Sequence, residues 1–347
     1  MLEYLQRSNG GGRAKNREQT AAGMGSERML DRAIEGPIAW ARDSLGPDDG
    51  TVPLDAICLN ELDAVAATLR DNPLPTEALR ASDFDMPACA ALMARVRTEL
   101  QDGLGFVLID RLPVERFGAA VSTALYWLLG SMVARPVAQK WDGRMIYDVR
   151  DTGKKPGNGV RPDITNVEQN FHTDNSYNLC PPAYVGLLCL ETASEGGISR
   201  IVSFASVHNE LMRRKPDLLP RLYRPYIFDR QREHAPGDAM TISHPLFQYD
   251  GKRLTARLSR FQVQNGYDLA GETLDPEGAA ALEGLEAMMN EPALWKEFRF
   301  EPGQIQIIDN ERCGHKRTAF RDDPASDRRR HLVRLWLRDS GRPFYNG

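Results

Sequence analysis

Residues 171–191, FHTDNSYNLCPPAYVGLLCLE, contain the stretch from which the fold of this chain can be interpreted. The polar run FHTDNSYN (171–178) places His172 and Asp174 two positions apart, just before an apolar run that predicts a buried strand. On an extended segment, residues i and i+2 project to the same side. An imidazole and a carboxylate could therefore share one metal ion, although the pair alone fits a surface histidine beside a turn aspartate equally well.

The remaining histidines help to choose between these interpretations. One further histidine would complete a 2-His-1-carboxylate triad, the iron site of non-haem Fe(II) oxygenases, which leaves coordination positions open. His315 follows the predicted strand in EPGQIQIIDNERCG (301–314), whose polar end places it at the rim of a barrel. His208 is assigned to the surface of an amphipathic helix, and His234 and His244 flank a loop near a substrate entrance. His315 is therefore the candidate third ligand.

The last predicted strand, RRHLVRLWLRD (329–339), carries an unusual pattern. Strand alternation gives it one almost fully apolar face and a second face with Arg330, Leu332, Arg334 and Trp336. If the second face lines the interior, both guanidinium groups enter a partly desolvated cavity and need an anionic partner, for which a carboxylate is suited. The alternative is an edge strand whose arginines lie in water.

A metal triad and an inward-facing arginine are the parts that 2-oxoglutarate requires. Its 1-carboxylate and 2-oxo groups chelate iron, and its 5-carboxylate needs a fixed cation at the far end. A hydroxyl group commonly assists that cation, and Ser199 in EGGIS (195–199) is a candidate because the glycine pair lets the chain turn there.

The order of predicted elements indicates helices packed outside a barrel or jelly roll. Apolar periodicity predicts helices over 60–70, 87–102, 114–130 and 276–290, the last with Asp275 as N-cap. β-Branched and aromatic runs bounded by turns predict strands over 105–112, 183–191, 198–204, 253–261, 297–309 and 330–339.

We expect a flexible N-terminal arm over residues 1–30 and a single domain over 31–347. Within that domain, 31–132 is predicted to be helical and 133–347 to form the jelly-roll core, with a helical insert at about 275–292. The long Gly/Pro-rich region 151–170 runs directly into His172, and a loop of that length is a candidate lid.

Composition excludes several functional classes. The 347 residues carry 44 basic and 48 acidic side chains, a net charge of −4, and form no basic block, which argues against nucleic acid and anionic membranes as partners. No apolar run is long enough to span a bilayer, and the N-terminus does not resemble a secretory signal. Five scattered cysteines form neither a disulfide framework nor a zinc pattern, which favours the cytoplasm.

Four motifs occur in the order FHTDNSYN, PPAYVGLLCLETASEGGIS, IDNERCGHKRTAF and RRRHLVRLWL. Together they resemble the taurine dioxygenase/clavaminate synthase-like superfamily of Fe(II)/2-oxoglutarate oxygenases, over roughly residues 100–340. The resemblance implies an α+β, mainly β fold with a double-stranded β-helix (jelly roll, cupin-like) core and flanking helices. It also implies that His172, Asp174 and His315 bind iron and that Arg330 pairs with the 5-carboxylate of 2-oxoglutarate. Ser199 stands where the family usually has threonine, and this departure keeps the hydroxyl group.

The resemblance also indicates substrate-binding positions. Arg334 matches a residue that meets the substrate anion in taurine dioxygenase, and Glu168 and Asn170 stand where family members commonly contact substrate. Tyr177, just after the metal pair, is a further candidate. The acidic residues of 151–170 would also suit a cationic amine or guanidino group.

The implied reaction is oxidative decarboxylation of 2-oxoglutarate by O₂, giving succinate and CO₂ and removing hydrogen from an unactivated C–H bond. Hydroxylation, desaturation or cyclisation of a small polar metabolite, amino-acid-like or a natural-product intermediate, would follow. Two alternatives stay open: a metal-dependent hydrolase or isomerase, and a non-catalytic binding module on the same fold. Members of the superfamily often self-associate, so a homo-oligomer is compatible with the sequence.

Overall fold

The computed structural model describes residues 28–155, 160, 162–325 and 328–347. The predicted N-terminal arm over 1–30 lies outside the described residues except for its last three positions. Part of the candidate lid over 151–170 lies outside them as well.

The four predicted helices are confirmed, and the described residues contain three more α-helices. Pro87 occupies the first position of α2, and the Asp275 carboxylate accepts a hydrogen bond from the Gly278 N–H at the start of α7, as its N-cap position requires. The helices are α1 (Ala56–Asp71), α2 (Pro87–Asp102), α3 (Val114–Val133), α4 (Phe204–Arg214), α5 (Leu219–Leu222), α6 (Arg260–Ala270) and α7 (Pro276–Met289).

Short strands dominate the chain from residue 135 onward. The strands are β1 (Thr51–Pro53), β2 (Phe106–Asp110), β3 (Arg135–Val137), β4 (Ile146–Val149), β5 (Gln169–His172), β6 (Tyr184–Glu191), β7 (Glu195–Gly196), β8 (Ser199–Ser203), β9 (Pro225–Asp229), β10 (Thr241–Pro245), β11 (Phe247–Tyr249), β12 (Leu254–Ala256), β13 (Trp295–Phe298), β14 (Ile305–Asp309), β15 (Cys313–Arg317), β16 (Phe320–Arg321) and β17 (His331–Arg338).

Two sheets form the predicted jelly-roll core. The larger has the order β1-β2-β14-β6-β17-β3, with β4 also paired to β17, and the smaller has the order β13-β8-β15-β5. Their facing sides share one apolar cluster, to which the larger sheet contributes Val185 and Trp336 and the smaller sheet Ile201 and Phe298. Among the described residues the two sheets share no strand pairing, so the core is a sandwich and not a closed barrel.

Helices cover the outer side of each sheet. Helices α1, α2 and α3 pack on the larger sheet, where Val333, Leu335 and Leu337 of β17 belong to the same core cluster. These residues form the apolar face predicted for the last strand, so its other face, with Arg334, points inward. Helices α4 and α7 pack together beyond the smaller sheet. No helix among the described residues has the length and apolar character needed to cross a membrane.

Two strand predictions were wrong in extent. The run 297–309 divides into β13 and β14, which belong to different sheets, because a turn at Gly303 separates them. Gly303 has φ 93°, and a Cβ atom there would lie 1.9 Å from the Leu112 carbonyl oxygen. The run 253–261 forms a strand only over Leu254–Ala256, and α6 begins at Arg260.

The surface assignment of His208 was also wrong. Its side chain is fully buried in α4, where Nε2 lies 2.8 Å from the Tyr223 hydroxyl oxygen. Burial lowers the pKa of His208 to about 4, so the imidazole is neutral at physiological pH and belongs to the core.

Candidate metal centre and cavity

Two neighbouring strands of the smaller sheet bring the predicted metal ligands together. His172 ends β5, and the antiparallel pairing with β15 places His315 directly opposite it, with ring centroids 4.2 Å apart. Asp174 follows two residues later. One ligand atom from each of His172, Asp174 and His315 lies within 4.8 Å of the other two. The i, i+2 spacing and the sheet register therefore aim all three side chains at one point.

The two oxygens of Asp174 have different surroundings. Oδ1 lies 3.3 Å from Nε2 of His172 and 3.5 Å from Nε2 of His315. Oδ2 accepts a hydrogen bond from the Trp336 indole at 2.6 Å and lies 3.2 Å from Nη1 of Arg334. Because Oδ2 is engaged by two residues of the larger sheet, Oδ1 alone faces the imidazoles as a metal ligand.

Asp174 and His315 have the protonation that metal binding requires. Burial opposes ionisation of Asp174, but the positive charge of Arg334, followed by the contacts with the two imidazoles, outweighs it and holds its pKa well below the usual range. Burial, followed by the neighbouring His172, lowers the pKa of His315 to about 4, so this imidazole is neutral at pH 7. A carboxylate and neutral imidazoles are the forms that donate electron pairs to a metal.

The hydrogen bonds of His172 fix its tautomer. Nδ1 lies 2.8 Å from the Asn170 carbonyl oxygen, which requires Nδ1–H, and Nε2 lies 2.9 Å from the Gln169 amide nitrogen. The amide donates to a lone pair on Nε2, the electron pair that a metal would take. Gln169 must therefore yield its position when a metal binds.

Arg330 is buried and its side chain forms no ion pair among the described residues. Its side chain is packed 5.0 Å from the Phe320 ring, and Nη1 has no hydrogen-bond partner among the described residues. Burial, and then the charge of Arg317, lowers the pKa of Arg330 to about 9. The group is thus still charged at neutral pH, and the Asp322 carboxylate, which accepts a hydrogen bond from the Arg330 backbone N–H at 3.0 Å, forms no ion pair with the guanidinium.

Ser199 lies in the strand that follows the glycine pair near Arg330. It is buried in β8, and its hydroxyl donates to Oε1 of Gln306 at 3.1 Å, while Nε2 of Gln306 has no partner in the described part of the chain. Two residues earlier, Gly197 would place a Cβ atom only 3.0 Å from Nε of Arg330. The glycine pair therefore brings the backbone close to the guanidinium.

Arg334 has a different set of partners. Besides Asp174, it contacts Oδ2 of Asp163 at 3.3 Å, and its Nε donates to the Gln139 side chain at 2.8 Å. The predicted substrate-binding arginine thus also positions a metal ligand and holds a residue of the 151–170 region against the site.

Arg317 was not identified from the sequence. This buried residue of β15 donates through Nη2 to the carbonyl oxygens of Pro162, Thr165 and Val167, and so holds the segment before the metal pair in place. Its signal was the i, i+2 spacing from His315, which places both side chains on one side of the strand.

A cavity of about 480 Å³ opens beside the three ligands. The predicted substrate residues Glu168, Asn170 and Tyr177 all line it. Glu168 pairs with Lys316 at 2.7 Å, Asn170 lies 3.5 Å from Glu286, and the Tyr177 hydroxyl donates to Gln231 at 3.0 Å. The start of α6 forms another wall, which the sequence did not reveal, and neither His234 nor His244 is among the described residues that line the cavity.

The chain resembles known proteins over most of its length. The family model described as "Taurine catabolism dioxygenase TauD, TfdA family" matches residues 70–336. FR-33289 synthase of Streptomyces rubellomurinus is 28% identical over 324 residues, which cover 91% of this chain and 94% of that protein.

Solved structures share the fold. An asparagine oxygenase in complex with Fe(II), 2S,3S-3-hydroxyasparagine and succinate has a TM-score of 0.67 and 19% identity, over 84% of this chain and 94% of that one. The non-heme iron oxygenase OrfP in complex with Fe and alpha-ketoglutaric acid has a TM-score of 0.58 and 16% identity, with the same coverage.

Proposed function

This chain belongs to the TauD/TfdA family of dioxygenases, and we propose that His172, Asp174 and His315 hold Fe(II) while Arg330 holds 2-oxoglutarate. The observation that carries the proposal is the convergence of the three ligand atoms, with Oδ2 of Asp174 tied to the opposite sheet. A carboxylate that binds through one oxygen keeps three positions of the metal for other ligands.

Arg330 supports 2-oxoglutarate as the co-substrate. A buried guanidinium without a partner is costly, and a bidentate carboxylate is the ligand that best satisfies its planar fork of N–H donors. The 5-carboxylate of 2-oxoglutarate would supply that charge. Ser199 would turn its hydroxyl from Gln306 towards the same carboxylate, and Arg317 adds a positive charge nearby.

The cofactor pair supplies the oxidising chemistry: with O₂ it converts 2-oxoglutarate to succinate and CO₂ and hydroxylates an unactivated C–H bond. The protein's part is orientation. Asp174 is held by Trp336 and Arg334, the cavity would hold the substrate beside the metal, and the position of the substrate would decide between hydroxylation, desaturation and cyclisation.

We assign the substrate to small, polar, amino-acid-like metabolites or natural-product intermediates. A 480 Å³ cavity with paired charges on its walls suits such a molecule, and the asparagine oxygenase with the same fold binds 3-hydroxyasparagine. Arg334, Asn170, Glu168 and Tyr177 are the proposed contacts. Five free cysteines favour a reducing cytoplasm as the enzyme's location.

The test is binding without oxygen, followed by turnover. We expect one Fe(II) and one 2-oxoglutarate per chain in anaerobic titrations, and succinate release when a panel of polar metabolites is added with air. His172→Ala should abolish iron binding, and Arg330→Ala should weaken 2-oxoglutarate binding. Arg328→Ala removes an exposed arginine two positions earlier and serves as the matched control. If His172→Ala and Arg330→Ala bind iron and 2-oxoglutarate as the wild type does, the assignment is wrong.

A further inference from the structure

We infer that Tyr345 positions the metal ligand Asp174, so that the C-terminal segment, residues 339–347, is part of the metal centre. The inference rests on the proposed function, because it concerns the same metal site. The family model matches the chain only as far as residue 336, so the C-terminal segment lies beyond the matched part. The family match therefore assigns it no role.

Hydrogen bonds from three parts of the chain hold the C-terminal segment against the core. The guanidinium of Arg338, at the end of β17, is 3% exposed and donates to three carbonyl oxygens of the segment, that of Tyr345 among them, at 3.0 to 3.2 Å. The Asn178 side-chain amide donates to the same Tyr345 oxygen at 2.9 Å. The Ala138 N–H donates to the Pro343 carbonyl oxygen at 2.9 Å. These contacts fix the backbone around Tyr345.

The ring of Tyr345 packs on the residue that holds Asp174. Tyr345 is buried, and its ring stacks on the Trp336 indole with centroids 6.4 Å apart and planes inclined by 25°. The same indole donates a hydrogen bond to Oδ2 of Asp174 at 2.6 Å. Because close packing against a second ring limits the orientations open to the indole, Tyr345 helps to set the direction of that hydrogen bond.

The hydroxyl group of Tyr345 reaches the turn that carries Asp174. It donates to Oδ1 of Asn175, the residue after the ligand, at 3.0 Å. Asn175 has φ 56°, a left-handed conformation that persists in a residue other than glycine where neighbouring contacts hold it. On the other side, Oδ1 of Asn310 accepts a hydrogen bond from the Asp174 N–H at 2.8 Å. The backbone of the ligand is thus held between Asn310 and Tyr345.

Tyr345 therefore acts on Asp174 from two directions. Its ring bears on the donor to Oδ2, and its hydroxyl group holds the next residue of the chain. Both contacts keep Oδ1 of Asp174 turned towards the two histidines. Tyr345 is a positioning residue, because its effect on the metal passes through Trp336 and Asn175.

The test measures Co(II) binding by variants of the full chain. Tyr345→Leu removes the stacked ring and the hydroxyl group, and Tyr345→Phe removes only the hydroxyl group. Phe344→Leu is the matched control, because Phe344 precedes Tyr345 in the same segment but is 64% exposed. The Co(II) dissociation constant should rise about tenfold in Tyr345→Leu, about threefold in Tyr345→Phe and less than about twofold in the control. The visible spectrum of bound Co(II) should change in Tyr345→Leu and not in the control.

A double variant shows whether Tyr345 acts through Trp336. Once the indole hydrogen bond is gone, the ring that orients the indole should matter little. Trp336→Phe combined with Tyr345→Leu should therefore bind Co(II) at most about threefold more weakly than Trp336→Phe alone. A further loss of about tenfold would show that the two residues act independently and would overturn the inference.

Urea denaturation separates positioning from general support of the fold. If Tyr345→Leu only lowers the free energy of unfolding, and its folded form keeps the affinity and spectrum of the wild type, the inference fails. If Tyr345→Leu does not fold, Tyr345→Phe provides the test, because it preserves the packed ring. Wild-type Co(II) affinity in Tyr345→Phe would then overturn the inference. Failure of the wild type itself to bind Fe(II) would instead refute the proposed function.

Discussion

Arg330 and Arg334 make an instructive pair. Arg330 directly precedes β17 and Arg334 lies within it, both face the interior, and their exposed fractions are 5% and 6%. Arg334 contacts two carboxylates and a glutamine, whereas Nη1 of Arg330 is unsatisfied and its guanidinium forms no ion pair with any described carboxylate. One guanidinium is held by groups of the protein, and the other is the proposed partner of 2-oxoglutarate. Residue type and burial alone do not distinguish these roles, and the partners do.

Replacement of Arg334 should have the largest effect on stability. Arg334→Met leaves Asp163 and Asp174 as buried carboxylates without their cation, which should lower the free energy of unfolding by about 3–5 kcal/mol. Urea denaturation measures this loss. The control Arg321→Met removes an exposed arginine and should stay within about 0.5 kcal/mol of the wild type. A loss of similar size in the control would show that the arginine's partners do not matter.

Arg330→Met should separate ligand binding from stability. The 2-oxoglutarate dissociation constant should rise by about 30-fold or more, because a buried charge pair with the 5-carboxylate is lost. The free energy of unfolding should not fall, because methionine replaces a buried cation that forms no ion pair with any described residue and whose Nη1 is unsatisfied. A loss of unfolding free energy as large as that of Arg334→Met would remove the contrast between the two arginines.

Trp336→Phe tests how Oδ2 of Asp174 is held. The change removes the indole N–H that donates to Oδ2 at 2.6 Å and keeps an aromatic ring in the cavity wall. We expect Co(II) affinity to fall by about tenfold, the effect of one charge-assisted hydrogen bond, and the visible spectrum of bound Co(II) to change as the carboxylate reorients. An unchanged affinity and spectrum would mean that Arg334 alone positions Asp174.

Asp309 is a buried carboxyl group whose cationic partner lies too far away to keep its pKa low. Arg312 is 3.9 Å from Oδ2, and burial raises the pKa of Asp309 to about 7. This pKa is higher than the value of about 3.9 in the unfolded chain. Between these two pKa values the native state binds more protons than the unfolded state, so the free energy of unfolding falls as the pH rises from about 4 to about 7.

Asp309→Asn should remove this contribution. In the wild type, this group changes the free energy of unfolding by at most about 1.4 kcal/mol per pH unit. The free energy of unfolding of the variant should therefore depend less on pH between about 4 and 7. Denaturation midpoints at several pH values provide the measurement. If the denaturation midpoints of wild type and variant change with pH in the same way, Asp309 remains ionised and Arg312 is a sufficient partner.

The metal ligands could be predicted because local periodicity determines them. Two-residue spacing fixed the common side of His172 and Asp174, and the alternation in 329–339 correctly placed Arg330 and Arg334 in the interior. These patterns depend only on the geometry of an extended chain. The third ligand, His315, required the additional expectation that the turn after the strand in 301–314 would reach the same rim, whereas the structure places His315 within a separate strand, β15, of the smaller sheet.

The substrate side was harder to predict for a physical reason. In RLTARLSRF (253–261), alternating apolar residues favour a strand, but tertiary packing ends it at Ala256 and starts α6 at Arg260. Contacts such as Thr173 with Leu258 join segments 85 residues apart, and no local pattern encodes them. The wall of the cavity formed by α6 therefore became visible only in the folded chain.

Asp174 also has a mechanical consequence. It follows a strand of the smaller sheet, yet its Oδ2 atom is held by Trp336 and Arg334 of the larger sheet, while its Oδ1 atom faces the two histidines. A metal ion bound there would cross-link the two sheets of the sandwich through this carboxylate. Chelation should consequently loosen the seam between the sheets, and amide hydrogen exchange in β5, β15 and β17 should quicken together.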